Sequence, residues 1–294
     1  MDPFVFLLVA GAAVLHVTWN VLLKTAGDPL RAAAVGMATA ALVICPTALA
    51  IWLATGRPAI PSETLALSVV SGLLEALYFT FLASAYRRGD LSLVYPLARG
   101  SAPLLAVTVG VLVLGERVGP PGAVGVAALL VGLLALQRPW RYLRASGRAS
   151  SGAAVFALLT GVTIAAYSAV DRVGVRATTP WIYAGLIWAS TVVFLWGYVL
   201  VERRRKPARN EPGAFTPRRA AIGGLLTLAA YLLILGAFTV APLTAVAPLR
   251  ESAIVLASGW GSVRLREATD RADAVRRIGA AGLVLLGALL LAID

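Results

Sequence analysis

Ten apolar stretches, each about twenty residues long, recur along this chain and constrain its fold more than any other feature. They cover residues 3–24, 31–54, 64–86, 91–114, 118–137, 152–172, 180–201, 219–240, 243–263 and 273–293. A helix needs about 20 apolar residues to cross the ~30 Å hydrocarbon core of a bilayer. Short alternating strands, which a membrane barrel would need, do not occur in the sequence. Because lipid offers the backbone no hydrogen bonds, the stretches predict an all-α polytopic membrane protein with ten transmembrane helices.

The composition excludes most classes of soluble protein. Of the 294 residues, 59% are hydrophobic and 14% are charged, whereas soluble globular chains carry about 25% charged residues. The net charge of +12 is therefore assigned to loops at a membrane surface rather than to nucleic-acid binding. The chain has one histidine and one cysteine, and it lacks the P-loop, HExxH and GxSxG motifs. We therefore expect no enzyme activity, no metal site, no cofactor and no nucleic-acid partner.

Two pairs of segments about 150 residues apart resemble each other. GDLSLVYPLARGSAPLLAV (89–107) aligns with APLTAVAPLRESAIVLASG (241–259), which places Arg99 opposite Glu251. HVTWNVLLK (16–24) aligns with IAAYSAVDR (164–172), which places Trp19 opposite Tyr167. Because five helices is an odd number, the second half would enter the membrane inverted, an architecture that many membrane transporters share. The alternative is chance similarity between apolar helices.

The fold predicted from these similarities is two inverted five-helix repeats around a central cavity. The first repeat covers residues 1–138 and the second covers 152–294, with a basic connecting loop at 139–151. Of the 26 Lys and Arg residues, 20 fall on the loops of one side and four on the other. Because cytoplasmic loops carry an excess of Lys and Arg, the basic loops are predicted to be cytoplasmic and both termini periplasmic. The predicted location is the bacterial inner membrane.

Four charged residues lie well inside the predicted helices, away from the helix ends: Glu75, Arg99, Arg250 and Glu251. Each costs about 2.5–3.5 kcal/mol at a helix centre, so opposite charges are expected to pair. Arg99 and Glu251 each lie about eight residues into helices that enter from opposite faces, so their depths differ by only about 6 Å. Two interpretations stay open: a stabilising Arg99–Glu251 pair between the repeats, or a polar cavity in which Arg99 or Arg250 meets an anionic group of a substrate.

The first helix adds polar candidates. His16, Asn20 and Lys24 share one of its faces at the spacing i, i+4 and i+8, with Trp19 beside them. Histidine titrates near neutral pH, so His16 is a candidate for proton coupling, together with Glu75. A buried histidine that is merely hydrogen-bonded to a neighbouring helix is the structural alternative for His16.

Prolines and aromatic residues complete the predicted site. Helix kinks are predicted at Pro96, Pro103 and Pro248, where freed carbonyl groups can face a cavity rather than lipid. Tyr and Trp side chains could line that cavity, although they also serve as interfacial anchors. The predicted substrate-binding and cavity residues are Arg99, Glu251, Arg250, Glu75, His16, Trp19, Asn20, Tyr78, Tyr95, Tyr167 and Tyr231.

HVTWNVLLK in the first helix, YPLARGSAPLLAVTVGVLVLGER through the fourth, and the two five-helix halves resemble the EamA-like proteins of the drug/metabolite transporter superfamily. The resemblance covers essentially the whole chain. It implies a basket of ten helices, with helices 1, 3, 4, 6, 8 and 9 around a central cavity and helices 5 and 10 packed together. It also implies proton- or gradient-driven movement of small metabolites, often export.

The resemblance and the charges together give a function hypothesis and a rival. The hypothesis is a secondary transporter that moves a small polar metabolite, amino-acid-like or a small organic anion, by alternating access. The rival is a membrane-embedded enzyme or flippase that acts on lipid head groups. A passive channel is disfavoured because the charges look paired rather than arranged in a ring. The expected partners are a small-molecule substrate and membrane lipid, and we expect a monomer because an internal repeat replaces a dimer.

Overall fold

Helices make up nearly all of the described part of the chain. This computed structural model describes residues 2–24, 28–88, 91–138, 148–205, 216–250 and 271–293, and these ranges contain no β-strand. The helices are α1 (Pro3–Lys24), α2 (Pro29–Ala54), α3 (Ser62–Tyr86), α4 (Leu91–Leu112), α5 (Pro120–Gln137), α6 (Arg148–Gly174), α7 (Pro180–Arg205), α8 (Pro217–Val240), α9 (described over 243–250) and α10 (Arg271–Ile293). A 3-10 turn, Val175–Ala177, follows α6. The predicted all-α fold is confirmed.

The ends of the helices agree closely with the predicted spans, because the sequence marks them. Proline occupies the first position of α1, α2, α5, α7 and α8, where its missing N–H is not needed and its fixed φ suits a helix. The largest difference is in α6, which begins at Arg148 and ends at Gly174 rather than covering 152–172. The longer C-terminal end places Asp171 nearly a full turn inside the helix.

The prolines predicted to kink helices lie within helical ranges. Pro96 and Pro103 are inside α4, which runs as one helix from Leu91 to Leu112. Pro248 is inside the described part of α9. The kinks themselves stay predictions.

The described helices have the length and surface of membrane-spanning segments. By length and composition, α1, α2, α3, α6, α7 and α8 can each cross a membrane, and α4, α5 and α10 hold shorter apolar stretches. Large apolar side chains point outward; Leu7 and Leu42, for example, are 72% and 78% exposed. A surface of this kind is unsuited to water and suited to lipid. The chain is a polytopic membrane protein.

The main helix contacts join the first half of the chain to the second. α3 packs on α6 and α7, and α8 packs on α1 and α2. α2 also packs on α7, and α5 packs on α10, as the resemblance implied. Exchanging each helix for its counterpart in the other half converts the α3–α6 contact into α8–α1, and the α3–α7 contact into α8–α2. The interior of the bundle therefore lies at the junction between the halves.

Glycines permit the closest helix crossings. At the α2–α8 crossing, a Cβ atom on Gly224 would lie 2.5 Å from the Cα atom of Gly36. At the α5–α10 crossing, a Cβ atom on Gly125 would lie 2.8 Å from the carbonyl oxygen of Gly287. In both places backbone meets backbone, as small residues allow between membrane helices.

Candidate functional site

A polar cavity lies where α1 and α3 of the first half meet α6, α8 and α9 of the second. The space between its lining residues, open solvent included, is about 510 Å³. Asp171 and Thr227, which the sequence analysis did not select, also line it. The structure brings seven of the predicted site residues into its wall: His16, Trp19, Glu75, Tyr78, Tyr167, Tyr231 and Arg250.

A continuous series of aromatic rings follows the cavity wall from α1 to α7. The Trp19 and Phe79 ring centroids are 6.1 Å apart, and those of Phe79 and Tyr78 are 4.8 Å apart. From Tyr78 the series continues to Tyr167 at 6.1 Å and then to Tyr231 at 6.2 Å. Tyr231 in turn meets Trp188 of α7 edge-on at 4.8 Å. These spacings are those of favourable aromatic pairs, so the rings form a connected wall across five helices.

Asp171 is the centre of the hydrogen bonds around the cavity. Its Oδ1 atom accepts a 2.6 Å hydrogen bond from the Ser71 hydroxyl of α3. Its Oδ2 atom accepts one from the Tyr231 hydroxyl of α8. The side chain is 1% exposed. A single carboxylate on α6 therefore connects one helix of the first half with another of the second.

Sequence reasoning missed Asp171, because the predicted span 152–172 placed it at the end of the sixth helix, beside Arg172, which was counted among the loop cations. Two signals could have found it. Asp171 is four residues after Tyr167, so the two share a helix face. Its neighbour Arg172, counted among the loop cations, also lies inside α6. A charged residue in the last turn of an apolar span can thus still be buried.

Glu75 is the second buried acid in the cavity wall. It lies on α3, and its side chain is 5% exposed. Tyr78 and Phe79 follow it at i+3 and i+4, so the carboxylate and two rings share one face of the helix. Among the described residues, no Lys, Arg or His nitrogen lies within 4.0 Å of the Glu75 carboxylate.

His16 is held by Trp19, one turn further along α1. The Trp19 Nε1–H group donates a 3.0 Å hydrogen bond to His16 Nδ1, and the two rings are perpendicular. Because Nδ1 accepts, the ring proton of this tautomer is on Nε2. His16 Nε2 is buried in the cavity wall with no hydrogen-bond partner among the described residues. The histidine therefore presents an N–H donor to the cavity.

The two predicted arginines lie in different places. Arg250 of α9 lines the main cavity and donates a 3.4 Å hydrogen bond to the Ser168 hydroxyl. Arg99 of α4, 3% exposed, lines a smaller cavity together with Asn20. Asn20 also donates a 2.8 Å hydrogen bond to the His16 carbonyl oxygen. The two cavities share the Tyr78 side chain.

Some predicted site residues fall outside what the structure describes. Glu251 is outside the described residues, so the proposed Arg99–Glu251 pair stays a prediction. The side chains of Tyr95, Pro96 and Lys24 are also outside the description, although their backbone positions are helical.

Near one end of the cavity, the loop after α4 holds the start of α9 in place. The Glu116 carboxylate accepts hydrogen bonds from the backbone N–H groups of Leu243 (2.8 Å) and Thr244 (2.9 Å). Gly115, with φ +64°, supplies the left-handed turn before it. An acid at a helix N-terminus satisfies free N–H groups and complements the helix dipole. The LGER segment after the fourth helix thus connects the first half to the start of α9.

Arg172 connects the same loop to two helices of the second half. Its Nε atom is 3.5 Å from Glu116 Oε1. Its Nη1 atom donates a 3.0 Å hydrogen bond to the carbonyl oxygen of Phe238, a cavity residue. Both charged side chains are nearly buried, at 13% and 10% exposed. This cluster packs firmly against the cavity end near Asp171.

The opposite ends of the helices carry a weaker ion cluster. Arg87, at the end of α3, pairs with Glu202 of α7 at 2.7 Å and approaches Asp28 at 3.7 Å. These side chains are more exposed than the Glu116–Arg172 pair, and exposed ion pairs contribute only about 0–1 kcal/mol. The described ion pairs on the side of the basic loops are therefore expected to contribute less to stability than the Glu116–Arg172 pair.

The sequence model of the EamA-like transporter family matches residues 3–137, the first five helices. The first half of the chain is therefore similar to the EamA-like transporter family. This family is part of the drug/metabolite transporter superfamily, and membership would imply a membrane transporter. No curated protein matches the sequence.

Solved structures support the fold of this EamA-like chain over its whole length. A structure titled only "Crystal structure of protein" is similar with a TM-score of 0.69 at 20% sequence identity, covering 98% of each chain. At this identity the likeness shows the fold alone. It covers both halves, so the likeness in fold includes the second five helices as well as the first five.

Proposed function

We propose that this EamA-like protein is a secondary active transporter of the bacterial inner membrane that moves a small polar metabolite by alternating access. The observation that carries the proposal is the cavity at the junction of the halves, lined by Glu75, Asp171 and Arg250 in an otherwise apolar bundle. Buried charges in a membrane protein are costly and mark substrate or ion pathways. The exchange-symmetric helix packing supports two inverted repeats, and the rocking of one against the other would expose the cavity to each side in turn.

The substrate class of this proposal is amino-acid-like molecules or small organic anions, and the direction is export. The protein works as a monomer, because each half supplies the partner that the other needs. The rival proposal, an enzyme or flippase that acts on lipid head groups, needs a charged group open to lipid. Arg99 is the buried cation that a lipid head group would need to reach, and it is 3% exposed. This burial favours the transporter.

Orientation gives a first prediction. The basic loops are proposed to be cytoplasmic, so both termini would be periplasmic. A reporter fused after Asp294 is expected to give periplasmic activity, for example as an active alkaline phosphatase. The control is the same reporter fused after Arg205, at the cytoplasmic end of α7, which should be inactive. A reversed pattern would overturn the orientation and leave the fold intact.

Proton coupling gives a second prediction, centred on His16. His16→Asn keeps an acceptor near the position of Nδ1 for the Trp19 N–H but removes the titratable ring. In proteoliposomes, the variant is expected to lose pH-gradient-driven uptake of single amino acids or small organic acids supplied from outside. It should retain counterflow exchange, because exchange needs binding and conformational change but no net proton movement.

Two results would contradict these assignments. Equal gradient-driven uptake by the His16→Asn variant and the unsubstituted protein would move the coupling role away from His16. Absence of any saturable flux, together with transfer of fluorescent phospholipid between leaflets, would replace the transporter with the flippase.

A further inference from the structure

We propose that the cavity binds a substrate through a protonated amine, with Glu75 as the counter-ion and the rings beside it as the surrounding wall. The inference rests on the proposed transport function and names the chemical class of its substrate. It assigns Glu75 to substrate binding and leaves His16 as the coupling residue.

The balance of charge in the wall favours a cation. Among the described lining residues, two carboxylates, Glu75 and Asp171, are present with one guanidinium, Arg250. The Asp171 oxygens already accept hydrogen bonds from Ser71 and Tyr231. Glu75 has no cation within 4.0 Å in the described part of the chain. A buried carboxylate is stable only when it is paired or neutralised, and a substrate ammonium would supply the pair.

The rings around Glu75 suit the same group. Tyr78 and Phe79 share its helix face, and Tyr167 and Tyr231 continue the wall. Aromatic faces attract a desolvated ammonium group through the negative potential of the ring, and they repel a carboxylate. A small anion bound only at this part of the wall would be repelled by both the ring faces and the Glu75 carboxylate.

The site also sets what else the amine can carry. Arg250 and the His16 Nε2–H group line the same cavity and can bind a carboxylate or another acceptor on the substrate. The apolar wall residues Ile234 and Phe238 suit an aliphatic or aromatic body. Both a simple amine and an amino acid therefore satisfy the chemistry at Glu75, and they differ only in their use of Arg250.

Three matched probes test the proposal on the purified full-length protein: 3-methylbutylamine, leucine, and 4-methylpentanoate. The first is leucine without its carboxylate, and the last is leucine without its amine. Binding is measured by thermal shift and calorimetry. The amine and leucine are expected to bind, and 4-methylpentanoate is not. Tighter binding of leucine than of the amine would assign the carboxylate to Arg250, and equal binding would indicate a simple amine substrate.

Variants assign the effect to Glu75. Glu75→Gln is expected to weaken amine binding by at least about thirtyfold, the effect of removing one partner of a buried charge pair. Glu75→Asp, which keeps the charge, should retain part of the binding. Glu63→Gln, which changes an exposed acid on the same helix, is the matched control and should bind normally. Melting without probe reports whether each variant folds.

The proposal is overturned if neither amine binds, if 4-methylpentanoate binds as well as the amine, or if folded Glu75→Gln binds the amine normally. The comparison of probes on the unsubstituted protein holds even if Glu75→Gln does not fold. Failure of the transport function gives a different result. Amine binding without any flux would support the amine site and contradict the transport function. Flux of 4-methylpentanoate without flux of the amine or leucine would support the transport function and contradict the amine site.

Discussion

Gly224→Ala is expected to destabilise the protein strongly. The new Cβ atom would overlap the carbonyl group of Gly36 and lie 2.5 Å from its Cα atom. The position of an alanine Cβ atom is set by its own backbone, so no side-chain rotation can move it away from Gly36. Helices α2 and α8 would therefore have to separate. Overpacking typically costs about 1–3 kcal/mol and sometimes more, and we expect the upper end, measured as a lower melting temperature in detergent.

The adjacent glycine provides the control. A Cβ atom on Gly223 would have its nearest neighbour, the Leu22 Cβ atom, at 3.8 Å, which is an ordinary contact. Gly223→Ala should therefore be neutral, or stabilising by up to about 1 kcal/mol through helix propensity. Equal melting temperatures for the two variants would show that the close α2–α8 crossing does not form.

Asp171→Ala is expected to have the second large effect, on both stability and transport. It removes the acceptor of two hydrogen bonds and leaves the Ser71 and Tyr231 hydroxyls facing a void. Hydrogen bonds to a charged group contribute about 1.5–3 kcal/mol each, so a loss of about 3 kcal/mol or more is expected. Because Tyr231 lines the cavity, substrate flux in proteoliposomes should fall together with the melting temperature.

A double-mutant cycle separates the hydrogen bond from general damage. Tyr231→Phe removes only the hydroxyl and should cost less than Asp171→Ala in the unsubstituted protein. In the Asp171→Ala background it should cost little more, because its partner is already absent. Additive losses would show that Asp171 and Tyr231 do not interact.

Much of the fold could be predicted from the sequence. The ten apolar spans set the helices, and proline at the first position of five of them set where those helices begin. Both signals are local, since a span needs only enough apolar residues to cross the hydrocarbon and a proline needs only its own φ angle. Glu75 and Arg250 could likewise be selected as candidate site residues, because a charge inside an apolar span is costly wherever its partner lies.

The sequence could not determine which residues these charged side chains contact in the fold. Asp171 was missed because its burial depends on α3 and α8 packing over the last turn of α6. Glu116 could be seen only as part of a motif, although its carboxylate binds backbone N–H groups 127 and 128 residues away.

The sequence was enough to predict a ten-helix membrane protein with buried charges, because the length of an apolar span and the cost of charge in lipid are properties of each segment alone. Which charges share a cavity depends instead on how the helices pack. The packing places Arg99 in a side cavity and Arg250 beside Glu75 and Asp171. The physical reason is that helix rotation and crossing are set by packing at points such as Gly36–Gly224, and these contacts join residues far apart in the chain.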